Sequence, residues 1–424
     1  MNPALIHAAF AFGRTKRLAR RLRTRADVLA WRAARLERFV RTAIPRAPYY
    51  AALHATRLED LPIVDKATLL ASFHNFNTRG VSYAQVRAAL DGGRERIGGL
   101  IIGQSTGTSG NRGVYVISEA ERFTWLGVLL AKALPDFPFT RHKVALALPG
   151  ANQLYASANE TGRLSLRFFD LGLGLESWRD ALATFQPDTI VAPPKVLRAL
   201  AGTPGLGPAH VFSGAEVLDP LDRAAIEAGF GVRVREIYMA TEGLFGVACP
   251  HGMLHLAEDV VAFEFEAVGE GLVSPLITDF TRSTQIMARY RMNDLLRLDD
   301  AMCACGSPLR SVASVVGRQD DVFLIPDARG ALVMVTPDVL RNAVVDSDRR
   351  IVDFRVVQAE ARRVVLALAR DLPAEAGVHA ADALQRAFAK AGAGEVEITR
   401  QAGIEAPMDR KLRRVRREWA PATN

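Results

Sequence analysis

Lysine is scarce in this 424-residue sequence: seven lysines stand against forty-seven arginines. Cysteine is scarcer still, with three residues. An odd, small number of thiols is no disulfide framework, and it fits a cytoplasmic protein. No apolar run reaches the ~18 residues of a membrane-spanning helix. The N-terminal ALIHAAFAF precedes its basic cluster, whereas a secretory leader has the charge first. Internal repeats and low-complexity linkers are missing too. What is present is the mixture of a globular protein, 49% apolar and 24% charged, in a chain long enough for two to four units at ~100–200 residues each.

The net charge of +8 is unevenly placed. Residues 1–47 hold twelve Lys/Arg against Asp27 and Glu37, a local +10, so the remainder is −2 (8 − 10). No groove-reading or aromatic-rich element accompanies this basic segment, so nucleic acid is not an expected partner. Residues 14–44 read as one amphipathic helix, with Leu18, Leu22, Leu29, Leu36, Val40 and Ile44 on a single face. A solvated helix docked on the body is the expectation. Contact with an anionic membrane surface is the alternative.

Helical patterns also cover 83–91 and 118–134. Short apolar runs then recur at 143–149, 189–194, 210–216 and 232–242, separated by helix-like stretches such as 176–185 and 219–228. Strands alternating with helices predict an α/β sheet with parallel pairs. From about 247 to 316 closely spaced strands predict a β-rich subdomain. A smaller α+β unit follows, with a helix at 379–391 and a basic tail. The expected division is 1–316 and 317–424, at VVGRQDDVF (315–323).

Between two apolar strands lies Ser105-Thr106-Gly107-Thr108-Ser109-Gly110. Glycine lets the backbone approach a ligand closely, and hydroxyls add donors without bulk, so such a loop can cradle phosphate oxygens. It is not a Walker loop, since no Gly-Lys-Ser/Thr follows, and it lacks the dinucleotide fingerprint. Taken alone it is a turn. Other segments join it in order: FSGAE (212–216), IYMATEG (237–243), ARYRMND (288–294), VVGRQDD (315–321) and DRKLRRV (409–415).

In this order the six segments resemble the signatures of the adenylate-forming superfamily of acyl-CoA ligases and adenylation domains. The N-terminal APYYAAL and LEDLPIVDKATL are similar to its phenylacetate-CoA ligase-like branch, near the proteins related to the deazaflavin-coenzyme adenylating synthetase. The resemblance spans nearly the whole chain. It implies a large N-terminal domain of mixed sheets with helices and a β-rich subdomain, and a small mobile C-terminal domain turning near Asp320 and Asp321. It also implies ATP-dependent activation of a small carboxylic acid, aromatic acids included, through an acyl-adenylate. The acyl group would pass to CoA or to carrier-protein phosphopantetheine. An adenylyltransferase passing AMP to a phenolic or other hydroxyl, and a non-catalytic nucleotide-binding protein, are the alternatives. The oligomeric state stays open, a homodimer included.

By the same resemblance, Ser105 to Gly110 would hold the β- and γ-phosphates. Thr241 would contact the α-phosphate and Glu242 would ligate Mg2+. Tyr238 would stack on adenine, with Gly214, Ala215 and Glu216 around it. Asp294 would accept from the ribose hydroxyls, and Arg318 would sit near ribose or phosphate. Lys411 takes the position of the catalytic lysine; a lysine inside an arginine cluster, in a chain so poor in lysine, is informative. Segments 149–157, 191–195 and 243–246 would line the acid pocket. Met239 and Arg410 depart from the family pattern by standing where glycine is usual.

The three cysteines form a separate constellation. Cys249, Cys303 and Cys305 fall in one 57-residue segment beside histidines. Three thiolates and one imidazole make a closed tetrahedral zinc site. His255 is the expected fourth ligand and His251 the alternative.

Overall fold

The computed structural model describes residues 3–104, 113–148, 163–404 and 411–421. The loop Ser105–Gly110 and the segment 149–157 lie outside the described residues. The chain divides into two compact units, residues 1–292 with 297–314, and residues 293–296 with 315–424. Each is described by itself.

The first unit opens with two helices, Pro3–Arg21 and Arg25–Thr42. This corrects the reading of 14–44 as one helix. Thr24 stops the first and caps the second: its side chain accepts from the Asp27 amide, and the Asp27 carboxylate accepts from the Thr24 amide in return. Such a reciprocal cap satisfies two amides that a continuous helix would have used internally. The break also turns the second helix, so that Val28 is buried and Leu29 exposed. Leu18, Leu22 and Val28 cluster against Trp31 and Leu309.

The first helix lies on the helix Glu119–Ala133. Gly127 is required there, because a Cβ would fall 2.2 Å from the Ala8 carbonyl oxygen. Small residues at 8, 11 and 127 let the two backbones close in, and Ser118 with Glu121 caps the second of these helices.

Five strands then pair in parallel in the order Leu164–Asp170, His142–Leu148, Thr189–Ala192, His210–Ser213, Val234–Ala240. Their near-continuous apolar runs suit strands covered on both faces. Helices Pro194–Leu200 and Pro220–Phe230 make crossovers; each starts at a proline, which needs no amide partner at that position. Val234–Ala240 then turns back at Thr241–Glu242, and Gly243–Ala248 pairs with it antiparallel. The sheet continues through Leu254–Leu256 to the start of Ser311–Arg318. A long hairpin, Val261–Gly269 with Leu272–Asp279, completes the β-rich part.

The second unit is α+β. Its four-stranded sheet runs Glu397–Ala402, Arg363–Leu368, Phe354–Glu360, Val415–Arg417. Helices Pro337–Val345 and Ala374–Lys390 pack on it around Phe323, Phe354, Leu366, Leu384 and Phe388, all essentially inaccessible. Truncating one such phenylalanine to alanine costs ~3–5 kcal/mol. The mixed sheet with helices and a small α+β unit is the architecture expected from the sequence.

Candidate active site

In an open parallel sheet, ligands bind beyond the carboxyl ends of the strands. Here that rule gathers three neighbouring segments. Strand Thr189–Ala192 leads into Pro193–Lys195, strand His210–Ser213 into Gly214–Glu216, and strand Val234–Ala240 into Thr241–Glu242. Gly214 donates its amide to the Ala192 carbonyl at 3.2 Å, tying the first two together. Ala215 takes φ +66°, a left-handed conformation costing a non-glycine residue roughly 1–2 kcal/mol. Beyond this bend the Glu216 carboxylate lies 3.6 Å from the Lys195 ammonium, both side chains largely buried. Tyr238 is buried at the end of its strand, its ring 5.3 Å from that of Phe245.

The Thr241–Glu242 turn is held from below by a buried arginine. Arg282 donates from Nε to the Glu242 carbonyl and from Nη2 to the Thr241 carbonyl, both at 2.8 Å. Its Nη1 reaches Gln285 Oε1 at 3.1 Å, and its guanidinium lies over the Trp125 ring. The loop carrying Arg282 is itself fixed. Asp279 accepts from the Thr281 amide and hydroxyl, and Glu121 accepts from the Ser283 and Thr284 amides. With its carbonyls occupied, the turn points the Glu242 side chain into a small pocket that Lys66, Tyr115, Gln285 and Tyr290 also line. Tyr290 donates its hydroxyl to Glu242 Oε1 at 3.3 Å. Burial, and then the Glu242 charge, push the Tyr290 phenol far above its ordinary value, so it stays a donor. Gly243 must be glycine, since a Cβ would sit 2.9 Å from Asp279 Oδ2.

Asp294, Arg318 and Lys411 belong to the second unit. Asn293, next to Asp294, accepts at its carbonyl from the Gln319 amide at 2.8 Å, and its side-chain amide donates to Asp320. The segments bearing Asp294 and Arg318 are therefore neighbours. Lys411 is exposed just ahead of the strand Val415–Arg417. Arg413 pairs with buried Asp321, and Arg414 with Asp353 at 2.9 Å. Burial raises the Asp321 carboxyl against the pull of Arg413.

The cysteines converge in the first unit. Pairing of Leu254–Leu256 with Ser311 and Val312 carries His255 to the loop bearing Cys303 and Cys305. The ligand atoms of Cys249, His255, Cys303 and Cys305 all lie within 4.8 Å of one another. Cys249 Sγ is 3.7 Å from Cys303 Sγ, and Cys305 Sγ is 3.3 Å from His255 Nε2. Zinc bonds of ~2.3 Å to sulfur and ~2.0 Å to nitrogen at tetrahedral angles give edges of ~3.8 and ~3.5 Å, so the spacing fits. His255 Nδ1 faces the Leu309 carbonyl at 3.1 Å, which leaves Nε2 toward the sulfurs. His251 is exposed, and its carbonyl accepts from Arg233.

The sequence did not mark Arg282 or the role of Tyr290, and it marked Lys195 only as part of the segment 191–195. Tyr290 sits inside ARYRMND. A buried arginine such as Arg282 has no local signature, because its burial depends on a loop brought in from another strand end.

No protein-family model matches this sequence, and no curated protein matches it significantly. Solved structures do. A 2-hydroxyisobutyryl-CoA ligase in the postadenylation state, in complex with R3-HIB-AMP, is similar with a TM-score of 0.63 at 18% identity, covering 96% of this chain and 88% of that one. ATP-bound MatB from Rhodopseudomonas palustris gives 0.51 at 18% identity over 70% of this chain and 63% of that one. The amide bond synthetase McbA from Marinactinospora thermotolerans gives 0.52 at 14% identity over 74% and 68%. At such identities the likeness speaks for architecture, and this chain has the fold shared by these ligases.

Proposed function

We propose that the protein is an ATP-dependent ligase that activates a small carboxylic acid as its acyl-adenylate and passes the acyl group to a thiol, that of CoA or of carrier-protein phosphopantetheine. The observation that carries this reading is the Thr241–Glu242 turn: a carboxylate held at the carboxyl end of a parallel strand, its backbone clamped by Arg282 and its Oε1 met by Tyr290. The fold shared with ligases, one of them bound to an acyl-AMP, supports it.

In the first half-reaction an acid oxygen attacks the α-phosphorus of ATP and pyrophosphate leaves. The chemistry needs alignment and neutralisation of charge more than covalent help. Thr241 donates to the α-phosphate, and Gly214, Ala215 and Glu216 border the base beside Tyr238. Asp294 accepts from the ribose hydroxyls, with Arg318 nearby. The loop from Ser105 to Gly110 receives the β- and γ-phosphates. Glu242 offers a carboxylate suited to Mg2+, which binds through one or two carboxylates plus phosphates and would neutralise them. Lys411 brings an ammonium between the acid and the α-phosphate, then withdraws before the thiol attacks.

We also assign a structural zinc ion to Cys249, His255, Cys303 and Cys305. Four protein ligands leave no open position, so its work is to tie the turn after the strand Gly243–Ala248 to the loop at 303–305. Elemental analysis should find about one zinc per chain.

A screen of carboxylic acids tests the ligase reading. The expected result is acid-dependent pyrophosphate release, a hydroxamate when hydroxylamine is added, and consumption of CoA or carrier thiol. ATP turnover with no acid-dependent hydroxamate would replace this reading by AMP transfer to a hydroxyl.

A further inference from the structure

The first helix, Pro3–Arg21, is packed on one side only. Ala8, Ala11, Thr15 and Leu18 are buried. The opposite side carries Ile6, Phe10, Arg17, Arg20 and Arg21, which at ~100° per residue fall in one sector about 100° wide. Ile6 is 53% exposed and Phe10 70%. The three arginines are exposed as well, and the helix contains no acid. Among the described residues none of the three forms an ion pair. The next acid along the sequence, Asp27, caps the second helix, and the Arg23 and Thr24 hydrogen bonds, with the Arg21 charge added, hold its carboxyl low.

Two further features extend this face. Arg14, on the same helix, has a buried Nε with no hydrogen-bond partner. It stands close to Arg35 of the second helix: burial, and then the charges of Arg14 and Arg38, push the Arg35 guanidinium down. On the other flank Phe12 meets the Phe137 ring at 6.1 Å, and Phe139, two residues on, is 83% exposed. One exposed phenylalanine is ordinary on a protein surface. An apolar tip continuous with unpaired arginines, on a helix without acids, has the composition of an interfacial helix.

We propose that this face docks on an anionic phospholipid surface. Ile6 and Phe10 enter the headgroup boundary, and Arg17, Arg20 and Arg21 meet lipid phosphates. The attachment is peripheral, since no helix among the described residues is long and apolar enough to cross a membrane. A second copy is a poor occupant, because a two-fold contact of this patch with itself would gather six arginines and offer no acid from the helix to meet them. The proposal does not depend on the ligase reading.

The test is flotation of the full chain with phosphatidylcholine vesicles and with vesicles in which about a third of the lipid is phosphatidylglycerol. Binding to the anionic vesicles alone, released by salt, is expected. Replacing Arg17, Arg20 and Arg21 together with glutamine should lower that affinity about a hundredfold. Phe10→Ser should lower it about tenfold. All four positions are exposed, so the melting temperature should stay put. Three results would overturn the proposal: no preference for anionic vesicles, variants that bind like the parent, or light scattering that shows a dimer dissociated by Phe10→Ser. Capture of an acidic carrier protein by this face, without vesicle binding, would overturn it as well.

Discussion

The two charged groups proposed for the phosphoryl chemistry, Glu242 and Lys411, are supported in contrasting ways. Glu242 sits on a turn whose carbonyls are both taken by buried Arg282, and its carboxylate is met by buried Tyr290. Lys411 is exposed, on a segment that Arg413 and Arg414 tie to Asp321 and Asp353 two and three residues further on. A metal-binding carboxylate must be in place before substrate arrives, so rigidity serves it. A lysine needed for one half-reaction and unwanted in the next is better carried at the edge of a unit than built into a core.

That contrast can be broken at either end. The largest effect belongs to Lys411→Ala. Acyl-adenylate formation should fall about a hundred- to a thousandfold, while thioester formation from supplied acyl-adenylate changes less than about twofold and stability is untouched. Stopped assays of the two half-reactions decide it, and equal losses would remove Lys411 from its role. Arg282→Ala should show the opposite profile. It strips two carbonyls of their donor inside the core, so urea unfolding should report a loss of ~3 kcal/mol. Activity should fall with stability, because the turn loses its shape.

Chelation of the proposed zinc should come next, lowering the melting temperature by about 5 °C or more. His255→Ala should cut the metal content and His251→Ala should not. Glu242→Gln keeps the Tyr290 hydrogen bond and loses the charge. It should raise the Mg2+ concentration needed for half-maximal turnover about tenfold, with an unchanged melting temperature. Arg413→Gln should have the smallest effect. It leaves the buried Asp321 carboxylate without its partner, loosening the tail by roughly 1–2 kcal/mol, and should slow adenylate formation about threefold without touching the thiol step.

Legibility in the sequence follows the range over which a residue's partners lie. Four of the five parallel strands could be read because each is a short apolar run ended by turn residues; Leu164–Asp170 was missed, since Ser165 and Arg167 interrupt its apolar run. The two-helix start was missed, although Thr24 and Asp27 stand at capping-box spacing, because the apolar period of Leu18, Leu22 and Leu29 runs straight through them. The turn at Thr241–Glu242 was readable as a motif; what holds it was not, since Arg282 arrives from forty residues away in a loop with no periodicity. The choice between His251 and His255 was open for the same reason. Only the pairing of His255 with Ser311 decides which imidazole faces the thiols.

The strand after Glu242 also limits how this protein could be re-engineered. A methyl group at Gly243 would press on the Asp279 carboxylate, and one at Gly246 would come within 2.8 Å of the His255 carbonyl oxygen. Between them Phe245 is fully enclosed against Tyr238 and Phe263. Three of the four positions from 243 to 246 are therefore closed to libraries, leaving Leu244. A change in substrate preference would have to be sought at the ends of neighbouring strands, where side chains can vary without moving the wall behind them.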